Sequence, residues 1–110
     1  MSSNLQQSSS TSHPPSPLVW FLLLDSETGE PYKNTTTDYV SHPPGAVVAE
    51  FRKLVHRENS AILPGIAPSQ LLVYKNKAAF DKKEEPLRSS RILYGLGETE
   101  EDALIVAIPP

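Results

Sequence analysis

The chain has 110 residues, a formal net charge of −3 and no cysteine. This length is typical of one domain and is too short for two separate hydrophobic cores. Without cysteine, these residues exclude a disulfide framework, a thiolate nucleophile and a cysteine-based metal site.

Residues 1–17 have the composition of a disordered arm, because they hold seven serines, three prolines and no charged side chain. We therefore predict a single folded domain at residues 18–110. The apolar run at residues 18–24 is far too short for a membrane span, and no basic stretch precedes it. We interpret this run as a buried strand and recognise no signal peptide in it.

The start of the domain is predicted to form a β-hairpin. Residues 18–25 form a short, almost wholly apolar run, which is typical of a central strand. Residues 26–31 supply turn chemistry, since Gly29 adopts positive φ without strain and Pro31 suits the start of an edge strand. The more polar residues 32–40 are predicted to return as that edge strand.

An amphipathic helix is predicted at residues 46–59, after a Pro-Pro-Gly segment. Its apolar side chains recur at helical spacing and form one stripe, and the charged side chains fall largely outside it. The stripe consists of Val47, Val48, Phe51, Leu54 and Val55. We expect this stripe to cover one face of a sheet.

Two strands are predicted shortly after the helix. Residues 70–74 carry an apolar run that ends at a polar Lys-Asn-Lys segment, and a further short strand is predicted near residues 78–80. Residues 81–86 are charged and should be exposed to solvent.

The end of the domain combines a loop with a last strand. The loop at residues 87–96 should contribute Leu87, Ile92 and Leu96 to the edge of the core. Residues 103–108 are continuously apolar, a pattern that is typical of a strand buried on both faces.

The predicted order is therefore β-β-α-β-(β)-β, an α+β arrangement. The two most hydrophobic strands are the first and the last, and we expect the segments around Val19 and Ile105 to be hydrogen-bonded neighbours. A mixed sheet packed on one helix, with these strands in the middle, is the β-grasp (ubiquitin-like) fold.

Two stretches of the chain resemble a known family. LLVYKNKAAFDKKEEPLRSS at residues 71–90 and GLGETEEDALIVAIP at residues 95–109 are similar to the N-terminal domain of the Crinkler effectors of oomycete plant pathogens. The resemblance covers roughly residues 18–110 and is strongest from Leu71 onward. It implies a ubiquitin-like header domain, in agreement with the predicted order of elements.

The resemblance also implies a function. The family header is associated with delivery of a covalently fused C-terminal effector domain, after secretion by the pathogen, into the host cytoplasm or nucleus. Delivery is attributed there to a Leu-x-Leu-Phe-Leu-Ala-Lys motif. Residues 69–75 occupy the corresponding place, with matches at Leu71 and Lys75 and departures at Ser69 and Tyr74. The implied motif strand consists of Leu71, Leu72, Val73, Tyr74 and Lys75.

The motif strand has a second interpretation. Alternate residues of so apolar a strand should point into the core. In this interpretation the motif is in part a signature of the fold and not a docking sequence.

A basic surface is the second candidate site. It consists of Lys75, Lys77, Lys82, Lys83, Arg88 and Arg91. An alternative function is therefore a ubiquitin-like adaptor that binds a partner protein through this patch and the exposed face of the sheet. The aromatic residues among these cations form no evident stacking platform, so we expect neither nucleic acid nor a membrane as the partner.

The sequence indicates no catalytic, cofactor or metal site, and no small-molecule substrate. His13, His42 and His56 lack metal-ligand spacing, and the acids at residues 98–102 lack the spacing of a calcium loop. The Gly-Leu-Gly at residues 95–97 is too short for a phosphate-binding loop and instead predicts two backbone positions of unusual φ. We expect a protein that is not an enzyme.

Overall fold

A computed structural model describes residues 17–110 and has an α+β fold. Within these residues there are four strands: β1 (Leu18–Asp25), β2 (Asp38–Ser41), β3 (Leu72–Tyr74) and β4 (Leu104–Ile108). The same residues contain two α-helices, α1 (Val48–Glu58) and α2 (Lys77–Asp81). Short 3-10 turns lie at Tyr32–Asn34, Ser60–Ile62 and Pro68–Gln70. The disordered arm predicted for residues 1–17 falls, except for Pro17, outside the described residues.

The strands form one mixed sheet in the order β2-β1-β4-β3. The central pair, β1 and β4, is parallel and aligns Leu22 with Ile105. Each outer strand is antiparallel to its central neighbour. The predicted ladder between the segments around Val19 and Ile105 is therefore confirmed. Every residue of β4 is buried, as its continuous apolar run predicted.

Helix α1 covers one face of the sheet and builds the core. Its buried residues are Val48, Phe51 and Val55, which belong to one apolar cluster with alternate residues of the strands. The rings of Phe51 and Phe21 pack edge to face with their centroids 5.9 Å apart. The predicted stripe is thus confirmed at its central positions, and Leu54 packs partly buried at its border.

The segment before β4 holds the first turn of α1 in place. The N–H groups of Val48 and Ala49 donate to the carbonyls of Arg91 and Ser89, at 2.9 and 3.0 Å. The Glu50 carboxylate accepts from the N–H of Val47 at 3.1 Å. These contacts satisfy amide groups that a helix leaves without internal partners.

The predicted edge strand at residues 32–40 is wrong in its first half. The chain there forms a 3-10 turn, in which Lys33 and Asn34 adopt positive φ of 49° and 62°. The Thr35 hydroxyl donates to the Tyr32 carbonyl at 2.7 Å and stabilises this turn. Left-handed backbone cannot continue a strand, so pairing with β1 resumes only at Asp38.

The short strand predicted near residues 78–80 is also wrong, and so is the prediction of a single helix. These residues lie in α2, whose start is capped by Asn76: its side-chain oxygen accepts from the N–H of Ala79 at 2.8 Å. Asparagine is among the preferred caps of a helix N-terminus, and alanine favours helix.

The loop before β4 places Leu93 in the core instead of Ile92. Ile92 is 53% exposed, whereas Leu93 is 1% exposed and donates its N–H to the Ala46 carbonyl at 2.9 Å. A bridge between Val47 and Ile92 sets this register. Leu87 and Leu96 pack against the core as predicted.

Candidate recognition site on the open face of the sheet

The face of the sheet opposite α1 carries exposed apolar side chains. Because side chains alternate along a strand, Trp20 and Leu72 point away from the core that buries Val19 and Val73. Trp20 packs edge to face on Tyr39, with ring centroids 5.0 Å apart. Tyr39 and Leu72 are 47% and 43% exposed. Such a face suits a contact with another protein.

A depression of about 530 Å³ lies at one end of this face, between the turn after β1, strand β3 and helix α2. We call it the turn–helix depression. It is lined by Ser26, Glu27, Thr28, Gly29, Glu30, Leu72, Tyr74, Lys77, Phe80, Asp81, Lys83 and Ala107. Its volume falls within the range of ligand pockets, roughly 300–1,000 Å³.

Hydrogen bonds inside the turn hold the first wall of the depression. The Asp25 carboxylate accepts from the N–H groups of Glu27 and Thr28, at 2.8 and 3.1 Å. The Asp25 carbonyl accepts from Gly29 at 2.8 Å. Gly29 has φ +74°, and a side chain there would meet the ring of Phe80 at 3.5 Å. The turn and α2 therefore lie close together at the depression.

Helix α2 forms the opposite wall and is tied to β3 by aromatic packing. The rings of Tyr74 and Phe80 pack edge to face, with centroids 5.4 Å apart. The helix ends where Lys83 adopts φ +57°, and there the N–H of Glu84 donates to the Ala79 carbonyl at 3.0 Å. This reversal turns the chain back at Lys83, which lines the depression.

The depression carries charges of both signs around an apolar floor. Lys77 pairs with Asp81 at 2.8 Å, one helical turn away, and both side chains are about half exposed. Such a pair adds only about 0.3–0.5 kcal/mol to stability, but it offsets the charge of Lys77. The lining also contains the cation Lys83 and, in the turn, the acids Glu27 and Glu30. The surface of the depression is therefore of mixed charge and not uniformly basic.

The motif strand divides between the core and this site. Leu71 and Val73 are fully buried, whereas Leu72 and Tyr74 line the depression and Lys75 is exposed. The expected alternation is therefore present from Leu71 to Tyr74, and Leu71 and Val73 are the motif residues that the fold withdraws from the surface.

The six predicted basic residues are all exposed but do not line one depression. Lys77 and Lys83 line the turn–helix depression. Arg88 and Arg91 line a second, shallow depression of about 340 Å³, which shares no residue with the first. The role of these six residues as one binding patch stays a prediction.

Sequence reasoning missed two parts of the site, the turn at residues 26–30 as a wall and Phe80 as an aromatic contact. The cap residue Asn76 before two alanines was the available signal for α2. No local pattern indicates that the turn and the helix, about 50 residues apart in the chain, lie together.

Within residues 17–110, no group of three or more His, Asp or Glu side chains is placed to hold a metal ion. Nor does that part contain a helix both long and apolar enough to cross a membrane. Two of the acids at residues 98–102 accept hydrogen bonds: Glu100 from the hydroxyl of the distant Thr37, and Asp102 from the hydroxyl of Thr99.

A comparison with models of known protein families finds no match, and a comparison with curated proteins finds none either. The resemblance to the Crinkler header therefore stays a prediction.

Proposed function

We propose that residues 18–110 form a β-grasp (ubiquitin-like) domain that serves as a protein-recognition module and not as an enzyme. Three features support the fold assignment: the order β2-β1-β4-β3, the parallel central pair and the helix packed across one face. The open face of the sheet, which no described helix covers apart from the short α2 at one end, is the surface offered for recognition.

The observation that carries the proposed function is the division of the motif strand. Leu72 and Tyr74 reach the turn–helix depression while their neighbours Leu71 and Val73 complete the core. The same short strand thus stabilises the fold and presents apolar side chains to a partner. Lys83, Glu27 and Glu30 at the border supply charges that discriminate between partners.

In this proposal the module is the targeting part of a Crinkler-type effector, secreted by a pathogen, which delivers a fused C-terminal domain into host cells. Support comes from the resemblance of residues 71–90 and 95–109 and from the agreement between the predicted and observed central ladder. Recognition of a host protein would then take place at the turn–helix depression.

Fusion of residues 1–110 to a fluorescent reporter tests delivery, with uptake by plant cells as the measurement. We expect the fusion to enter cells and the reporter alone to stay outside. Leu72→Glu should reduce uptake to the level of the reporter, since it places a charge on the floor of the depression. Ile92→Glu is the matched control, because Ile92 is similarly exposed but lies outside the depression. Equal entry of the free reporter would exclude the delivery function.

A second function, that of an adaptor without a delivery role, is favoured by the exposed apolar residues Tyr39 and Leu72 on the open face. An adaptor retains a partner from host extract but does not carry the reporter into cells. Lys83→Glu should then weaken the pull-down of that partner. Arg88→Glu makes the same charge change beside the other depression and should leave it intact. A pull-down insensitive to Lys83→Glu and Leu72→Glu argues against recognition at this site.

A further inference from the structure

A second pocket, of about 350 Å³, lies at the end of the sheet where β1 begins and β2 ends. The apolar residues Leu18, Leu93 and Leu96 line it together with the polar residues His42 and Glu98. We call it the His42 pocket. It shares no residue with the turn–helix depression, so its occupancy is independent of the function proposed above.

His42 is a buried polar residue in the lining of this pocket. It is only 6% exposed, and its Nδ1 lies 2.9 Å from the Pro43 carbonyl. A carbonyl only accepts, so Nδ1 carries the proton of this bond and Nε2 of the neutral ring is an acceptor. Among residues 17–110, Nε2 has no hydrogen-bond partner. A buried polar atom without a partner is unfavourable, and a donor on a bound molecule would satisfy it.

The border of the pocket is exposed and apolar. Tyr94 is 86% exposed and Leu18 is 43% exposed, although both are large side chains. Large aromatic side chains at the border of a pocket are typical of contacts with a partner protein. The pocket therefore suits a side chain that enters from another molecule.

The charge of the pocket selects a cationic partner. Glu98 is in the lining, the acids Glu100, Glu101 and Asp102 follow it in the chain, and the lining contains no lysine or arginine. Phosphate groups would be repelled here, whereas lysine or arginine would be attracted. Residues 1–17 contain neither lysine nor arginine and so lack the matching side-chain charge.

We propose that the His42 pocket binds a peptide segment of a partner protein that carries tryptophan or tyrosine next to lysine or arginine. The aromatic ring lies among Leu18, Leu93 and Leu96. Its N–H or O–H donates to Nε2 of His42, and the cation pairs with Glu98.

The test uses the full chain, labelled with ¹⁵N, and three synthetic peptides. The first contains Trp-Arg-Lys, the second Trp-Glu-Glu and the third Ala-Arg-Lys, each between two Gly-Ser pairs. We expect the first to shift the amide signals of His42, Tyr94 and Glu98 in a saturable titration. The other two should bind at least about tenfold more weakly, because each lacks either the apolar group or the charge.

Exposed positions supply variants that keep the fold intact. Glu98→Gln should weaken binding of the first peptide about threefold to fivefold, and Glu101→Gln, the same charge change outside the lining, should not. Tyr94→Ala should also weaken binding. Equal affinity for all three peptides, shifts centred on Leu72, or no saturable binding would overturn the proposal. So would binding that develops only after deletion of residues 1–16, since the arm would then be the occupant.

Discussion

Gly97→Ala should be among the most damaging small substitutions in this domain. Gly97 has φ +56°, and its carbonyl accepts from the N–H of Trp20 at 2.8 Å. A Cβ at this position would lie 2.7 Å from Cγ2 of Val19 and 2.8 Å from the carbonyl oxygen of Trp20. The backbone oxygen belongs to the central strand β1 and cannot withdraw without breaking the ladder.

The magnitude follows from two additive costs. Left-handed backbone costs a residue with a Cβ about 1–2 kcal/mol relative to glycine. Overpacking against atoms that cannot move costs about 1–3 kcal/mol more. The free energy of unfolding should therefore fall by about 2–5 kcal/mol, which is a large part of the stability of a small domain. Urea denaturation followed by far-ultraviolet circular dichroism measures it.

Gly65→Ala is the matched control. Gly65 has φ +75°, but nothing lies within 4 Å of the position of its Cβ. The free energy of unfolding of Gly65→Ala should fall only by the cost of left-handed backbone, about 1–2 kcal/mol. The difference between the two variants isolates the steric cost of the close approach to β1. If both lose the same stability, the contact between Gly97 and Trp20 does not have the geometry described here.

Four further substitutions test the division of the motif strand and the construction of α2. Leu71→Ala should reduce the free energy of unfolding by about 2–5 kcal/mol because Leu71 is fully buried, whereas Leu72→Ala should change it by less than about 1 kcal/mol; similar losses would contradict the alternation. Asn76→Ala removes the cap on the N–H of Ala79 and should lower the free energy of unfolding by about 1 kcal/mol in the same urea assay. An unchanged free energy of unfolding would show that this cap does not stabilise the domain. Lys83→Gly relieves positive φ and should stabilise the domain by about 0.5–1 kcal/mol in thermal or urea unfolding; a destabilised variant would refute strain at this position.

Some elements could be predicted because several neighbouring residues carry the same pattern. Helix α1 has apolar residues at helical spacing, and β4 is a continuous run of apolar residues. The placement of β1 beside β4 followed from their hydrophobicity, since only central strands are covered on both sides. The Gly-Leu-Gly segment likewise indicated unusual φ, and its glycines have φ of +82° and +56°.

Other features depended on one or two residues whose conformation is set by the surrounding structure. The sequence at Lys33 and Asn34 does not distinguish a turn from an edge strand, yet their positive φ shortens β2. The choice between Ile92 and Leu93 for the core depends on a bridge to Val47, far away in the chain. Two adjacent apolar residues are equivalent until a partner strand sets the register.

The sequence by itself determined which segments are apolar enough to be central, where one helix must lie and which strand resembles a delivery motif. Only the tertiary structure decided which side of that strand is exposed, because burial depends on the elements packed around it. It also brought the turn after β1 to Phe80, and His42 to Glu98, across long stretches of chain. Such sites are formed by packing between elements, and local sequence patterns contain no information about it.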